Sequence, residues 1–129
     1  LLKYSYKLPK LIHPLATVSK STKIGKGTVV FAKSVIEAET TIGIGSIINT
    51  SSTINHDCIL GDGVHICPGV NIAGSVYIGD KSLIGIGSSV IEGIKIGKKV
   101  TIGAGASVIS EIPDGMTAVG VPAKLIKSF

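Results

Sequence analysis

Two histidines in the middle of the chain are the residues best suited to acid–base chemistry. His56 is followed directly by Asp57, and His65 lies nine residues further on. An imidazole has an unperturbed pKa of about 6.5, so it can accept a proton from an attacking amine or hydroxyl group at neutral pH. A neighbouring carboxylate can hold the ring in one tautomer and stabilise the imidazolium form. We therefore predict that His56 is a general base and that Asp57 assists it.

The residues around this pair repeat with a period of six, and this period fixes the direction of each side chain. From Ile12 to Val108 every sixth residue is aliphatic, for seventeen positions without exception. Two residues before each of them, from Ala16 to Ala106, lies a second series of small or β-branched residues. A glycine also recurs every eighteen residues from Gly25 to Gly97. Three repeats of six therefore make one larger structural turn.

These periods predict an all-β solenoid rather than helices. Within each six, neighbouring residues point to opposite sides, as they do in a short strand. The residues that follow are rich in Gly, Asn, Asp and Ser, which tolerate positive φ and allow the chain to turn. Three strands and three corners form a triangular coil, and stacked coils bury their apolar faces against one another. We predict a little over five coils in residues 12–112, after a linker at 1–11 and before a C-terminal cap at 113–129 that ends in a short helix.

The composition argues against several classes of function. The 129 residues carry a net charge of +5 from 13 lysines, which are scattered over the corners and both ends. Nucleic-acid binding would require clustered basic residues with stacking aromatics, and only 4% of the residues are aromatic. Cys58 and Cys67 do not make a disulfide framework, and no apolar run is long enough to span a membrane. We expect a cytoplasmic protein that binds neither nucleic acid nor membrane.

The repeat also predicts what surrounds His56. This residue lies two positions after Ile54, on a corner, so its ring should project outward. Eighteen residues further, at the same corner of the next coil, lies Gly74, which has no side chain. We expect the gap beside Gly74 to admit a thioester next to the imidazole. The alternative for this corner is a solvated turn without a function.

The hexapeptide repeats resemble the left-handed parallel β-helix of the hexapeptide acyltransferases. Within that superfamily, Asn55–Cys58, Val64–His65, Asn71–Gly74 and Val119–Lys124 resemble sugar acetyltransferases, which include the sialic-acid O-acetyltransferases and the UDP-amino-sugar N-acetyltransferases of bacillosamine type. The resemblance covers about residues 11–127 and implies acetyl-CoA as co-substrate, with no metal. Members usually carry an N-terminal domain that binds the nucleotide sugar, and we expect such a domain upstream of this sequence.

The resemblance further implies a set of cofactor contacts and an assembly. By position, the residues expected to contact acetyl-CoA are His65, Gly74, Gly85, Ile86, Gly103, Ala104 and Lys124, with Lys127 as an alternative to Lys124. Glycines would let a pantetheine arm approach the backbone, although corner geometry alone also explains Gly85 and Gly103. Members form homotrimers with acetyl-CoA between adjacent subunits. His56 and His65 lie half a coil apart, so they could share one site only across a subunit boundary.

We predict an enzyme that moves the acetyl group of acetyl-CoA directly to an amino group of a nucleotide-activated amino sugar, of the UDP-4-amino-sugar type. One alternative is a sugar O-acetyltransferase of sialic-acid type. A second is a non-catalytic β-helical trimer scaffold, in which His56 would be dispensable. A zinc hydrolyase that resembles the γ-class carbonic anhydrases, with His13, His56 and His65 as ligands, is disfavoured because the ligand pair of that class lies closer together in sequence.

Overall fold

The structure is a computed structural model that describes residues 8–126. Within that range the chain forms nineteen strands, of which all but the last two contain two residues. In chain order they are β1 (Leu11–Ile12), β2 (Thr17–Val18), β3 (Lys23–Ile24), β4 (Val29–Val30), β5 (Val35–Ile36), β6 (Thr41–Ile42), β7 (Ile47–Ile48), β8 (Thr53–Ile54), β9 (Ile59–Leu60), β10 (His65–Ile66), β11 (Asn71–Ile72), β12 (Tyr77–Ile78), β13 (Leu83–Ile84), β14 (Ser89–Val90), β15 (Lys95–Ile96), β16 (Thr101–Ile102), β17 (Ser107–Val108), β18 (Thr117–Val119) and β19 (Lys124–Ile126).

The first seventeen strands enter three parallel sheets in strict rotation. Face A contains β1, β4, β7, β10, β13 and β16, face B contains β2, β5, β8, β11, β14 and β17, and face C contains β3, β6, β9, β12 and β15. Paired residues are eighteen apart, as in Leu11 opposite Val29. One coil therefore takes eighteen residues, and the predicted left-handed parallel β-helix is confirmed. We name the corners AB, BC and CA after the two faces that each one joins.

Two columns of side chains fill the interior of the β-helix. The aliphatic column is buried from Val30 to Val108, and each buried Ile stabilises the fold by about 1.5–3 kcal/mol. The second column contains buried hydroxyl residues at Thr28, Ser34, Thr40, Ser46, Ser52, Ser82 and Ser88. These hydroxyls donate to backbone carbonyls, as Thr28 Oγ1 does to Gly43 O at 2.7 Å. The column therefore accepts Ser and Thr as readily as Val, because no hydroxyl loses its hydrogen bond on burial.

Each corner is a two-residue turn that displays its first residue to the outside. From Gly27 to Gly105 the second residue has positive φ, either as a glycine such as Gly87 (67°) or as a polar residue such as Asp57 (58°) or Ser75 (58°). Positive φ is accessible to glycine and, at modest cost, to Asp and other short polar residues. His56 and Gly74 are the first residues of two successive BC turns.

Aspartates at corner CA tie successive coils together. Each accepts the backbone N–H of a turn residue in the preceding coil: Asp62 from Ile44 (2.7 Å), Asp80 from Asp62 (2.8 Å) and Asp114 from Lys98 (2.8 Å). The residue before each capped N–H is a glycine, at Gly43, Gly61 and Gly97, and a Cβ there would collide with the carboxylate oxygen. Glycine at these positions thus makes room for the capping carboxylates.

The C-terminal segment extends face A over the last coil. Strand β18 pairs with β16 in parallel and with β19 in antiparallel orientation, so the cap is a β-hairpin. The predicted short helix is not formed up to Ile126, where the chain is still in β19; residues 127–129, and residues 1–7 of the predicted linker, lie outside the described range. Between residues 8 and 126 there is no helix with the length and apolar character needed to cross a membrane.

Candidate active site

The His56 side chain projects from corner BC, between β8 and β9. It is half exposed, at 51% of its maximum, because the period of six places Ile54 in the core and turns residue 56 outward. Nδ1 of the ring lies 2.9 Å from Oδ2 of Asp57. An ionised carboxylate only accepts hydrogen bonds. Nδ1 therefore carries the proton and donates a hydrogen bond to Asp57. Nε2 is left with its lone pair free, as a general base requires.

The surroundings of His56 raise its pKa above the usual value. The hydrogen bond to Asp57 is the largest cause of the higher pKa, and partial desolvation opposes it. The negative charges of Asp57, Glu92 and Glu37 raise the pKa further. All three carboxylates therefore favour the imidazolium form of His56.

The Asp57→Asn variant tests this arrangement through pH. Asparagine can still accept a hydrogen bond from Nδ1, but it lacks the charge that stabilises the imidazolium. Since Asp57 raises the His56 pKa, the pKa should fall in the variant, and the acidic limb of the kcat profile should move to lower pH. We expect kcat on the plateau to fall about tenfold, from the weaker hydrogen bond. An unchanged acidic limb would contradict the role of Asp57.

The imidazole of His56 packs directly on the backbone of Gly74. A Cβ at position 74 would lie 2.5 Å from Cε1 and 2.6 Å from Nε2 of the ring. The space that a side chain at Gly74 would fill is therefore occupied by the imidazole, and a thioester beside the ring stays a prediction. Gly74 fixes where Nε2 lies, and any larger residue at this position would displace the ring.

A groove on face B begins next to this corner. Its volume is about 360 Å³, and it is lined by Thr53, Asn55, Asn71, Ile72, Ala73, Ser89, Val90, Ile91 and Glu92. The floor is apolar, while Asn55, Asn71 and Glu92 supply polar groups. Asn55 immediately precedes His56, and Ala73 precedes Gly74. A molecule bound in the groove would therefore have one end beside the His56 ring.

His65 lies far from this corner in the coil. It is in β10, on face A, between Ile47 and Leu83 in the neighbouring strands. Its Nε2 is 3.5 Å from Nδ2 of Asn49, and the side chain is half-buried. His65 therefore lies on the face opposite corner BC, and the two histidines do not meet within one chain.

Ile86 and Ala104 occupy the same position of corner AB on adjacent coils, and both are exposed. Gly85 and Gly103 precede them, and the space that a Cβ would fill there is taken by Ile102 O and Ala104 N, and by Val119, respectively. Their lack of a side chain thus serves coil packing, the alternative that the sequence had left open. In contrast, a Cβ at Gly87 or Gly105 would meet nothing within 4 Å, so the surface beside Ile86 and Ala104 is open.

Lys124 is exposed in β19 of the cap, opposite Val119 in β18. Lys127, its alternative, lies outside the described residues. The predicted site residues thus form two groups: His56, Asp57 and Gly74 at corner BC, and the remainder on face A, at corner AB and in the cap. Face B separates the two groups within one chain.

The histidines show no arrangement for a metal ion. His13 follows β1, where its Nδ1 accepts the N–H of Leu15 at 3.0 Å, while His56 and His65 lie on other sides of the coil. Among residues 8–126, no three His, Cys, Asp or Glu side chains come together in a way that could hold a metal. Within one chain the three histidines therefore lie apart from one another.

Comparisons with known proteins define the class of this chain. Residues 75–110 match the family described as Bacterial transferase hexapeptide (six repeats). A comparison with curated proteins gave no significant match. With its three-sided coils and its period of six, the chain is a hexapeptide-repeat β-helix protein.

Three solved structures are similar to this chain over most of its length. The acetyltransferase domain of PglB from Neisseria gonorrhoeae is 47% identical with a TM-score of 0.95, and the match covers 97% of this chain and 61% of that one. PerB from Caulobacter crescentus, solved with CoA and GDP-perosamine, is 40% identical with a TM-score of 0.96, over 98% of this chain and 61% of that one. WeeI from Acinetobacter baumannii is 30% identical with a TM-score of 0.86, over 88% and 56%.

The resemblance to sugar N-acetyltransferases is thus confirmed. One structure of the PglB domain contains acetyl coenzyme A, and variants of the Caulobacter perosamine N-acetyltransferase with a histidine replaced by Ala or Asn were solved with CoA and GDP-perosamine. This chain spans 61% of the length of the PglB and PerB chains that it matches.

Proposed function

We propose that this chain transfers the acetyl group of acetyl-CoA to the amino group of a nucleotide-linked amino sugar, of the UDP-4-amino-sugar type. The observation that carries the proposal is the hydrogen bonding of the His56 ring. Its Nδ1 is held by Asp57, and its Nε2 is free beside Gly74 at the end of the face B groove. The similarity to the PglB domain and to PerB supports both the acetyl donor and the amine acceptor.

The reaction proceeds by direct transfer, without an acyl-enzyme. The acceptor loses one proton to solvent to become a neutral amine, whose nitrogen then attacks the thioester carbonyl as its second proton passes to Nε2 of His56. The new C–N bond forms and the C–S bond breaks. The imidazolium returns its proton to the departing thiolate, so the products are the N-acetyl sugar and CoA with a free thiol.

Gly74 supplies a candidate donor to the thioester oxygen. In the part of the chain that the structure describes, the backbone N–H of Gly74 has no hydrogen-bond acceptor. A free N–H adjacent to the general base can stabilise the negative charge that develops on the carbonyl oxygen during attack. We assign it that role.

Corner AB is the proposed contact surface for acetyl-CoA. Ile86 and Ala104 are exposed, and the open surface at Gly87 and Gly105 leaves room for a pantetheine arm along the corner. His65 and Lys124 extend this surface onto face A and the cap, where the lysine can meet a phosphate.

The separation of these two groups in one chain supports a homotrimer. Corner BC of one subunit can meet corner AB of the next in a closed ring of three, and each interface then contains one complete site. Exposed apolar side chains border both corners, among them Ile86 (56%), Ile91 (48%) and Ile109 (50%). The donor and acceptor are cytoplasmic metabolites, and Cys58 and Cys67 are free thiols, so we place the enzyme in the cytoplasm.

An acetyl-transfer assay tests the proposal. Release of free CoA thiol is followed with acetyl-CoA and either a UDP-linked 4-amino sugar or GDP-perosamine, the acceptor found in the PerB structure. We expect thiol release that depends on the amino sugar and yields the N-acetyl product by mass. Transfer only to hydroxyl acceptors would instead support a sugar O-acetyltransferase. Absence of any transfer by a folded trimer would leave a structural scaffold.

A further inference from the structure

The groove on face B ends at Glu92, which shares the corner of His56. His56, Gly74 and Glu92 occupy the same position on three successive coils, since each lies eighteen residues after the last. Neighbouring strands lie about 4.8 Å apart, so the backbones at His56 and Glu92 are about 9.6 Å apart. Gly74 contributes no side chain between them. The imidazole and the Glu92 carboxylate thus border one short stretch of the corner that opens into the groove.

The carboxylate of Glu92 is not used to cap a turn. At corner CA, an aspartate in the next coil accepts the turn N–H, and the residue before that N–H is always a glycine. At corner BC, Glu92 has the same relation to Gly74, but the preceding residue is Ala73. The Cβ of Ala73 takes the space that a capping oxygen requires. Among the described residues, the Glu92 side chain and the Gly74 N–H accordingly form no hydrogen bond with each other or with any other group.

Two amide side chains in the same groove also have hydrogen-bonding groups without a partner among the described residues. Asn71 Oδ1 accepts the hydroxyl of Thr53 at 2.8 Å, which leaves both N–H bonds of the Asn71 amide for a ligand. Within residues 8–126 the Asn55 side chain makes no hydrogen bond, and it lines the groove directly before His56. Free amides over an apolar floor suit a sugar ring, which presents hydroxyls at its edge and C–H groups on its faces.

We propose that the face B groove binds the sugar ring of the acceptor and that Glu92 binds its amino group, so that Glu92 selects an amine over a hydroxyl. This inference rests on the proposed acetyl transfer and deepens it. The carboxylate binds the acceptor as an ammonium ion through a charge-assisted hydrogen bond. After one proton has left to solvent, the neutral amine donates one N–H to Glu92 and the other to Nε2 of His56, and its lone pair faces the thioester.

A hydroxyl acceptor cannot satisfy the same two groups. It has a single O–H, so a hydrogen bond to Nε2 leaves the Glu92 carboxylate without a donor and facing an oxygen lone pair. A binding site discriminates strongly against a substrate analogue that leaves one of the site's polar groups without a hydrogen bond. Glu92 therefore acts as a positioning and specificity-determining residue, while the proton is moved by His56.

The Glu92→Gln variant tests this role, with Glu37→Gln as the matched control. Both remove one negative charge that raises the pKa of His56, but only Glu92 lines the groove. The measured quantities are kcat and KM at saturating acetyl-CoA, for a UDP-linked 4-amino sugar and for its analogue with a hydroxyl in place of the amine. We expect Glu92→Gln to lower kcat/KM for the amine about ten- to a hundredfold, mainly through KM, and to raise kcat/KM for the hydroxyl analogue, because the Gln amide can donate to the hydroxyl oxygen.

Glu37→Gln should keep the wild-type KM for the amine and the wild-type preference for amine over hydroxyl. If Glu92→Gln keeps that preference while the wild type acetylates the amine, Glu92 does not bind the amino group, and the proposed function stands without it. If both variants lower kcat/KM for the amine equally, the loss comes from the removed negative charge near His56. The proposed contact between Glu92 and the amino group is then refuted. If the wild type acetylates no amine at all, the proposed function fails and this inference fails with it.

Discussion

The His56→Gln variant retains acetyl-CoA binding and loses kcat by about two to four orders of magnitude, the range typical of a lost general base. Glutamine fills a similar volume on the corner but cannot accept a proton at neutral pH. Because the ring is half exposed and leaves no buried cavity when removed, the free energy of unfolding should change by less than about 1 kcal/mol. Steady-state kinetics, calorimetric titration with acetyl-CoA and thermal unfolding measure the three quantities.

His13→Gln is the control for this experiment. His13 lies at the N-terminal end of the β-helix, where its ring accepts the N–H of Leu15, and it should be replaceable without loss of kcat. His65→Gln should give the opposite signature to His56→Gln, a higher KM for acetyl-CoA with little change in kcat. Wild-type kcat in the His56 variant would show that the imidazole does not take the proton.

The second large effect is expected from a single methyl group at Gly74. In Gly74→Ala the new Cβ would lie 2.5–2.6 Å from Cε1 and Nε2 of His56, closer than such atoms can approach, so the ring must move. The side chain that yields is the exposed imidazole rather than the backbone. We expect kcat to fall by up to about a hundredfold, because a catalytic group misplaced by about 1 Å can lower the rate by that factor. The fold should be retained, because the backbone of Gly74 does not have positive φ.

NMR titration of the His56 ring shows whether the lower kcat of Gly74→Ala is accompanied by loss of the hydrogen bond to Asp57. If the displaced ring loses its hydrogen bond to Asp57, the pKa of His56 falls, since that bond is the main reason for its elevation. Ser110→Ala, at the same corner two coils further along, should leave both kcat and the pKa unchanged. Wild-type kcat in Gly74→Ala would mean that the position of the ring seen here is not the catalytic one.

The coil architecture was predictable from the sequence because it depends on local periodicity. An unbroken column of seventeen aliphatic residues fixed the register of every strand from β1 to β17, including the exposure of His56. The two columns of buried side chains followed from the same register. The prediction of cofactor contacts followed only from the resemblance to known acetyltransferases, because exposed residues such as Ile86 carry no periodic signal.

Features that depend on side-chain rotamers could not be predicted in this way. The spacing of eighteen put His56 beside Gly74, but only the structure shows that the ring leans over the glycine and fills the gap. The same spacing aligns Glu92 with His56, but only the structure shows that Glu92 lines the groove beside it. The β-hairpin of the cap was missed because Met116–Phe129 has left the repeat, and short apolar segments without a period do not distinguish strand from helix.

Activity in mixed trimers tests directly whether the catalytic site is built from two chains. His56→Gln removes the base, and Ile86→Glu places a charge on the proposed cofactor corner, so each pure variant should be nearly inactive. When the two chains are co-expressed in equal amounts and assemble at random, about one interface in four combines an intact His56 with an intact Ile86 of its neighbour. We predict about one quarter of the wild-type activity per site. Activity no greater than that of the pure variants would contradict a site shared between subunits.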